Sequence, residues 1–218
     1  METGQHKLLI FPCNGNGIEA LDCIDPTEYK VIGFVDDQYS VKQGIQSVPV
    51  SDRSVINEHT DAYVLAVPGS PSTYLKRKEH IDSLGIEPNR FATVIHPTAV
   101  IGKQVRIGRN CLIMAGVVIT SNAWIGDHVC ILPNTVIHHD VRVGDYSLIG
   151  SGVVIAGGSS IGENCYIGSG TNIINGIGIG DFSLVGIGSN VLTGYPSRSR
   201  IAGNPAHALP LKNTTPHG

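Results

Sequence analysis

Every sixth residue from Ile101 to Val191 is isoleucine or valine, sixteen times in succession and without a slip in register. An amphipathic helix repeats its apolar residues about every 3.6 positions and a half-buried strand about every 2, so neither produces this spacing. A coil of short straight sides, each contributing one inward β-branched anchor, does produce it. Because each short repeat is stable only when its neighbours stack on it, we expect a stacked coil in the middle of the chain.

The residue four positions after each anchor is small or β-branched, as at Cys111, Ala123 and Ser147. One large and one small inward residue per hexad suit a narrow, close-packed prism. The pattern resembles the hexapeptide repeat of left-handed parallel β-helices, in which three hexads form one triangular coil. The left-handed sense rests on this resemblance, because general handedness rules favour the opposite hand.

A period of 18 separates three sides of the predicted prism. Two sides carry glycine ladders directly after their anchors, where we expect the backbone to turn outside the usual regions; the ladders are Gly108, Gly126, Gly144, Gly162 and Gly180, and then Gly150, Gly168 and Gly186. The third side has no such ladder and carries His138 and His139 instead. Departure from a local rule is expected at functional sites, so we look for chemistry on this side.

The segment before the repeat reads as a small α/β unit. Apolar strands are predicted at 8–11, 29–35 and 62–67, with helices at 18–23 and 72–84, and this alternation indicates a small parallel sheet that leans on the rest of the chain. The predicted organisation is an α/β, Rossmann-like domain at 1–94, a left-handed parallel β-helix at 95–195, and a C-terminal cap or tail at 196–218.

Composition narrows the class of protein. The net charge is −3 with acidic and basic residues intermixed, which predicts neither a nucleic-acid nor a membrane-surface partner. The five cysteines are scattered singles without a CxxC motif, which is typical of a reduced cytoplasm. No apolar stretch approaches the length of a membrane span. We therefore expect a cytoplasmic protein.

The sequence His138-His139-Asp140 lies in the middle of the repeat. An imidazole beside a carboxylate is the usual proton-transfer pair, because the carboxylate fixes the tautomer and stabilises the charged ring. Two solvent-facing turn histidines are an equally good interpretation of the residues alone. No histidine lies 18 residues from another, so a three-histidine zinc site has little support and no metal is expected.

A second candidate site is the turn Pro12-Cys13-Asn14-Gly15-Asn16-Gly17, which follows a predicted strand and precedes a predicted helix. Backbone N–H groups at such a turn can bind phosphate. Asp36 and Asp37 end the next strand about twenty residues later, where an acid can accept hydrogen bonds from a sugar hydroxyl or a base. Tight structural turns remain the alternative interpretation.

Taken together, these features resemble the bacterial nucleotide-amino-sugar N-acetyltransferases of the sialic acid O-acetyltransferase-like family, over nearly the whole chain. The glycine-rich turn, the closing Asp36-Asp37, the hexapeptide prism and the terminal Gly203-Asn204-Pro205-Ala206 match in order. Three positions depart from the family: His138 replaces a glutamate, Leu148 a second histidine, and Leu132 an asparagine.

The resemblance implies a role for each matching residue. His139 is the general base and Asp140 its partner; Asn14, Gly15 and Asn16 hold the nucleotide phosphates, and Asp36 and Asp37 recognise the base. It implies that Gly157 faces the acetyl carbonyl and that acetyl-CoA is bound along Ser169, Ile187 and Leu148. It also implies a homotrimer with coenzyme A between neighbouring subunits.

The predicted activity is transfer of an acetyl group from acetyl-CoA to the amine of a nucleotide-linked amino-deoxy sugar, a UDP-, dTDP- or GDP-4-amino-4,6-dideoxyhexose used in surface glycan biosynthesis. One alternative is an O-acetyltransferase acting on sialic acid or a polysaccharide, which has no need of a phosphate-binding turn. A non-catalytic binding or scaffold prism is the other, and it would carry regular threonine ladders that His138 interrupts here.

Overall fold

A computed structural model describes residues 4–41 and 44–210. Its first part is a four-stranded parallel sheet in the order β3-β2-β1-β4, with strands β1 (His6–Phe11), β2 (Tyr29–Val35), β3 (Val50–Ser51) and β4 (Tyr63–Ala66). The predicted parallel sheet is confirmed. The strand β3 was not predicted, because a two-residue strand leaves no periodic signal.

The helices of this unit are shorter than predicted. They are α1 (Gly15–Glu19), α2 (Ser54–Glu58) and α3 (Arg77–Asp82), with 3₁₀ turns at Ala20–Cys23, Tyr39–Val41, Tyr74–Lys76 and Pro88–Arg90. The single helix predicted at 72–84 is therefore wrong in extent: it is a 3₁₀ turn followed by α3. The segment ends in a turn that closes on Gly85 at φ +61, a conformation that favours glycine.

The second part is the predicted prism, built from two-residue strands in three parallel sheets. Sheet 1 contains Arg106–Ile107, Trp124–Ile125, Arg142–Val143, Ser160–Ile161 and Gly178–Ile179. Sheet 2 contains Val94–Ile95, Leu112–Ile113, Cys130–Ile131, Leu148–Ile149, Tyr166–Ile167 and Leu184–Val185. Sheet 3 contains Val100–Ile101, Val118–Ile119, Val136–Ile137, Val154–Ile155, Asn172–Ile173 and Asn190–Val191.

The register of these sheets is 18 residues throughout: Trp124, for example, lies between Arg106 and Arg142. The anchors fill the interior, and those from Ile113 to Val191 are all at most 2% exposed. The small inward residues are buried with them, including all the positions from Cys111 to Thr171. The hexad prediction is therefore confirmed, and close packing of these residues holds the coils together.

Hydroxyl groups in this apolar interior are satisfied by the neighbouring turn of the prism. Thr135 donates to the Gly150 carbonyl at 2.7 Å, and Ser147 and Ser159 donate to the Gly162 and Ile174 carbonyls at 2.8 Å. Buried hydroxyls without such partners would cost stability. The repeat therefore accepts serine or threonine at its small position without a penalty.

The reason we gave for the glycine ladders is wrong. The left-handed backbone conformation falls three residues after each anchor, where asparagine recurs, as at Asn110, Asn122 and Asn134. The ladder glycines do not adopt it. They occur where successive coils touch: a Cβ on Gly144 would come within 2.6 Å of backbone atoms of Gly162 and Glu163.

The small unit is docked on the outer face of sheet 2. Leu112, Cys130 and Leu148 form one buried apolar cluster with Leu8 and Leu65 from the small sheet. The Asn110 side chain bonds both the N–H and the carbonyl of Ala66, at 2.7 and 2.8 Å, and so pairs with the end of β4. The expectation that the small unit leans on the prism is confirmed.

The segment predicted as a cap continues sheet 2 before it closes it. Arg200–Gly203 pairs in parallel with Leu184–Val185, and Ala206–Ala208 folds back on it as an antiparallel hairpin. The remainder of the predicted tail, 211–218, lies outside the described residues. Within 4–41 and 44–210, every helix is too short or too polar to cross a membrane.

Close coil contact predicts the cost of adding a methyl group to the ladders. Gly144→Ala should lower the free energy of unfolding by about 1–3 kcal/mol, because the added Cβ meets backbone that cannot move aside. Gly152→Asn is the matched control: Gly152 has open space and φ +64, the conformation that asparagine adopts in neighbouring coils. Equal losses in urea unfolding of the two variants would contradict this account.

Candidate active site

His139 and Asp140 occupy the turn between Val136–Ile137 of sheet 3 and Arg142–Val143 of sheet 1. The His139 Nδ1 and Asp140 Oδ2 atoms are 2.8 Å apart. Asp140 has φ +61, in the left-handed region that aspartate tolerates better than most residues, and this turn directs its carboxylate to the neighbouring ring. The two side chains are 65% and 52% exposed in the single chain, so the ring is accessible to a ligand.

The second carboxylate oxygen of Asp140 accepts a hydrogen bond from the side-chain amide of Asn122, which lies one coil toward the N-terminus. Hydrogen bonds from His139, and secondarily from Asn122, hold the pKa of the Asp140 carboxyl below its ordinary value. With the carboxylate charged and bonded to Nδ1, the neutral ring carries its proton there. The Nε2 atom is then free to accept a proton.

Gly157 lies one coil above His139, toward the C-terminus. A Cβ at this position would come within 2.5 Å of Nε2, so a glycine is needed to leave the ring open on that side. Within residues 4–41 and 44–210, the Gly157 N–H has no acceptor, although the Gly157 carbonyl accepts from Gly176. An unused N–H beside Nε2 is suited to bind a developing oxyanion.

The turn after β1 is tied to the ends of both neighbouring strands. Asn14 caps α1 by accepting from the Gly17 N–H at 3.1 Å, and the Asn16 amide donates to the Val67 and Gly69 carbonyls at 3.3 and 3.4 Å. Asp36, which is 4% exposed, accepts from the Cys13 N–H at 2.9 Å. The N–H groups of Gly15 and Asn16 have no acceptor in the described part of the chain and can serve a ligand.

Asp37 has a different environment from Asp36. Its carboxylate forms a two-point pair with Arg53, with N–O distances of 2.6 and 2.9 Å. These hydrogen bonds from Arg53 lower the pKa of the Asp37 carboxyl, which is 58% exposed. Asp36 thus holds the phosphate turn in place, while Asp37 is presented at the surface beside it.

The predicted site residues fall into three separate places in one chain. His139, Asp140 and Gly157 lie on the edge between sheets 3 and 1, whereas Ser169 and Ile187 lie on the edge between sheets 2 and 3. The nucleotide turn belongs to the small unit on the face of sheet 2. Because the His139 edge is opposite sheet 2, one chain does not bring its own turn and its own His139 together.

Leu148 was predicted to contact acetyl-CoA. It is 2% exposed and lies under the small unit, where Gly69 packs over its side chain. A direct contact with a ligand would require this apolar cluster to open. Ile187, by contrast, is 77% exposed at its edge of the prism.

Several residues beside the pair were not predicted. A cavity of about 260 Å³ adjoins Asp140 and is lined by Gln104, Arg106, Asn122, Ala123, Trp124, Asp140 and Arg142. Asn122 could have been found from the sequence, because it lies 18 residues before Asp140. Within the described ranges, no group of three or more histidine, cysteine, aspartate or glutamate side chains is placed to hold a metal.

Other buried groups are unsuited to proton chemistry. Burial raises the pKa of the Cys111 and Cys130 thiols to about 12, so neither is a thiolate near neutral pH. Burial lowers the pKa of His128 to about 4, and its neutral ring lies between Phe91 and Tyr146. All five cysteines are free, as the scattered spacing predicted.

Comparison with known proteins identifies this architecture. The bacterial transferase hexapeptide model (six repeats) matches residues 91–121 and 122–157. No functionally curated protein matches the chain in sequence.

Solved structures match over almost the whole chain. A structure of PerB from Caulobacter crescentus with CoA and GDP-perosamine has a TM-score of 0.81 and 27% identity, and the match covers 95% of this chain and 98% of that one. A variant of GDP-perosamine N-acetyl transferase from the same organism, with the same two ligands, gives 0.82, 27%, 95% and 98%. The acetyltransferase domain of PglB from Neisseria gonorrhoeae, with acetyl coenzyme A, gives 0.83, 24%, 94% and 100%.

These similarities confirm the predicted fold class, an α/β Rossmann-like unit followed by a left-handed parallel β-helix. They also confirm the resemblance to nucleotide-amino-sugar acetyltransferases that the sequence motifs indicated.

The role of Asn122 can be tested through the titration of Asp140. Asn122→Ala removes one donor, so the midpoint of the Asp140 carboxyl should rise toward its ordinary value, measured by carbon NMR of the labelled carboxyl group. Because a depressed pKa keeps the carboxylate charged until the pH falls through that value, the variant should lose its hydrogen bond to His139 at a higher pH than the wild type. An unchanged midpoint would contradict the arrangement.

Proposed function

We propose that this hexapeptide-repeat acetyltransferase transfers the acetyl group of acetyl-CoA to the amine of a nucleotide-linked amino-deoxy sugar. The observation that carries the proposal is the His139–Asp140 pair, with an open Nε2 and the unused N–H of Gly157 beside it. GDP-perosamine N-acetyl transferase, 27% identical to this chain, was solved with CoA and an amino-sugar nucleotide, which supports the same substrate class here.

The proposed chemistry is direct transfer. The sugar amine attacks the thioester carbonyl while His139 Nε2 accepts the amine proton, and the negative Asp140 carboxylate stabilises the charged ring. The Gly157 N–H donates to the carbonyl oxygen as it becomes an oxyanion. When the carbon–sulfur bond breaks, the imidazolium returns its proton to the departing sulfur, which leaves the amide and free CoA.

A composite site between chains follows from the arrangement of one chain. The outer face of sheet 3 carries a column of partly exposed valines, Val100, Val118, Val136 and Val154, beside the exposed Ile174 and Leu192. Exposed apolar surface of this kind is typical of an interface between subunits. This face has the His139 edge on one side and the Ser169 and Ile187 edge on the other.

Packing three copies through sheet 3 around one axis would bring the His139 edge of each chain to the Ser169 and Ile187 edge of the next. We propose such a homotrimer, with acetyl-CoA between the two edges and the amino-sugar nucleotide held by the turn Asn14–Gly15–Asn16 with Asp36 and Asp37. The free N–H groups of Gly15 and Asn16 would bind the phosphates.

The base is tested by His139→Asn. This variant should lower kcat by about 10²-fold or more with little change in KM for the nucleotide sugar, because general base catalysis contributes about 10²–10⁴-fold. His59→Asn, a matched change on the small unit, should leave both constants as they are. The assay is thiol release from acetyl-CoA with UDP-, dTDP- and GDP-linked 4-amino-4,6-dideoxy sugars, and a near-normal kcat would remove His139 from this role.

The same assay separates the alternatives. Transfer to sialic acid or polysaccharide hydroxyls, with no increase of the melting temperature by nucleoside diphosphates, would favour the O-acetyltransferase. Absence of thiol release with every acceptor would favour a binding or scaffold prism.

The interface is tested by Val136→Glu. A charge on the valine column should convert the trimer to single chains and abolish acetyl transfer, because an unpaired carboxylate opposes burial at an apolar contact. Ser160→Glu, a charge on the outer face of sheet 1, should leave the trimer intact. Light scattering at micromolar concentration measures both, and a single-chain mass for the wild type would contradict the proposal.

A further inference from the structure

The outer face of sheet 1 carries an aromatic side chain between two cations. Trp124 is 40% exposed, and the parallel register puts Arg106 beside it in the coil below and Arg142 in the coil above. Adjacent coils are about 4.8 Å apart, so the two guanidinium-bearing positions are about 10 Å apart across the indole. We call these three residues the Arg–Trp–Arg column.

Neither arginine has a partner of its own. Across residues 4–41 and 44–210, Arg106 and Arg142 take part in no ion pair and no side-chain hydrogen bond, whereas the exposed Arg53 and Arg109 are both paired with aspartates. Two unpaired guanidinium groups on either side of an exposed indole form a site for an anion joined to a flat or apolar group.

The column is continuous with the catalytic pair. Its cavity of about 260 Å³ is closed on one side by Asp140, and a second cavity of about 440 Å³ shares Gln104, Arg106 and Asn122 with it and extends toward the N-terminal coils. Charge therefore changes along the face, from two cations at Arg106 and Arg142 to the His139–Asp140 pair at the edge. A ligand with an anionic end and a basic amine matches this order.

The column also lies on the opposite side of His139 from the predicted coenzyme A positions. Gly157, Ser169 and Ile187 are all in coils C-terminal to His139, whereas Trp124 and Arg106 are one and two coils toward the N-terminus from Arg142. Beyond Arg142 the same column continues with Ser160 and Gly178, which carry no charge. The cationic surface is thus limited to the half of the groove that coenzyme A leaves open.

We propose that the Arg–Trp–Arg column binds the acceptor: Arg106 and Arg142 contact the pyrophosphate of the nucleotide-linked amino sugar, and Trp124 packs on the apolar face of its deoxy-sugar ring. This inference rests on the proposed function. In the proposed trimer, sheet 1 of one chain faces the small unit of the next, so the turn of one chain and the column of its neighbour hold the same nucleotide sugar. The sugar then directs its amine along the column to His139.

The test uses the intact trimer and nucleoside diphosphates as probes. Trp124 is the only tryptophan of the chain, so its fluorescence reports binding at the column directly. UDP, dTDP or GDP should change this fluorescence, and Arg106→Gln/Arg142→Gln should weaken binding about tenfold or more and reduce its dependence on salt. Arg106→Lys/Arg142→Lys, which keeps both charges, should retain most of the affinity.

Kinetics separates the column from the other parts of the site. In Arg106→Gln/Arg142→Gln and in Trp124→Leu, KM for the nucleotide sugar should rise about tenfold, with KM for acetyl-CoA unchanged and kcat within about threefold. Arg109→Gln, at another edge of the prism, is the matched control and should leave every constant at the wild-type value. All variants change exposed side chains, and their trimer mass and melting temperature verify folding.

Three results would overturn the inference: no fluorescence response of the wild type to any of the three diphosphates, binding by the arginine double variant within about twofold of the wild type, or a rise in KM for acetyl-CoA alone. Failure of the proposed function has a different signature. The wild type would then bind diphosphates through Arg106 and Arg142 but transfer no acetyl group to any amino-sugar nucleotide.

Discussion

Burial of one isoleucine or valine in every hexad determines which residues lie above one another along the whole prism. A side chain that slipped by one position would move each anchor from the interior to solvent, so the 18-residue register is strongly specified. All other features of the molecule use this register. It places Asn122 below Asp140 and Gly157 above His139, and it aligns Arg106, Trp124 and Arg142 in one column.

The same constraint separates groups that the proposed reaction must combine. A closed triangular coil has three faces: sheet 2 carries the small unit, sheet 3 is apolar, and sheet 1 carries the cationic column. His139 lies on the edge opposite the small unit of its own chain, so a site that contains both requires a second chain. Oligomerisation is in this view a condition of the proposed catalysis, because a rigid prism cannot bend to bring its own parts together.

Much of this could be predicted from the sequence, since the signals were periodic. The anchors at every sixth position, the small residue four positions later and the parallel sheet of the small unit all have direct counterparts in the structure. Prediction failed where the signal was short or where contact between coils decides. The two-residue strand β3 gives no pattern, and the ladder glycines avoid contact with the next coil rather than permit an unusual φ. The burial of Leu148 depends on the position of the small unit, which no local pattern encodes.

The site has the same division. His139 and Asp140 are adjacent in sequence, and their 2.8 Å contact follows from the turn they share. Asn122 and the Arg–Trp–Arg column lie at offsets of 18, and they become visible only when outward positions are aligned by coil as the inward ones were. The internal bonds of Asp36 and the pairing of Asp37 with Arg53 depend on strands brought together by the fold, and sequence spacing alone does not distinguish these two neighbouring acids.

Complementation between two inactive chains tests most directly whether the site is shared. One chain would carry His139→Asn, and the other Gly15→Asp, which adds a negative charge to the nucleotide turn at a position with open space around it. Each variant alone should be inactive, whereas trimers assembled from an equal mixture should regain roughly a quarter of the wild-type activity, because that fraction of sites combines an intact turn with an intact base from different chains. A mixture as inactive as its two components, despite verified exchange of chains, would contradict the account.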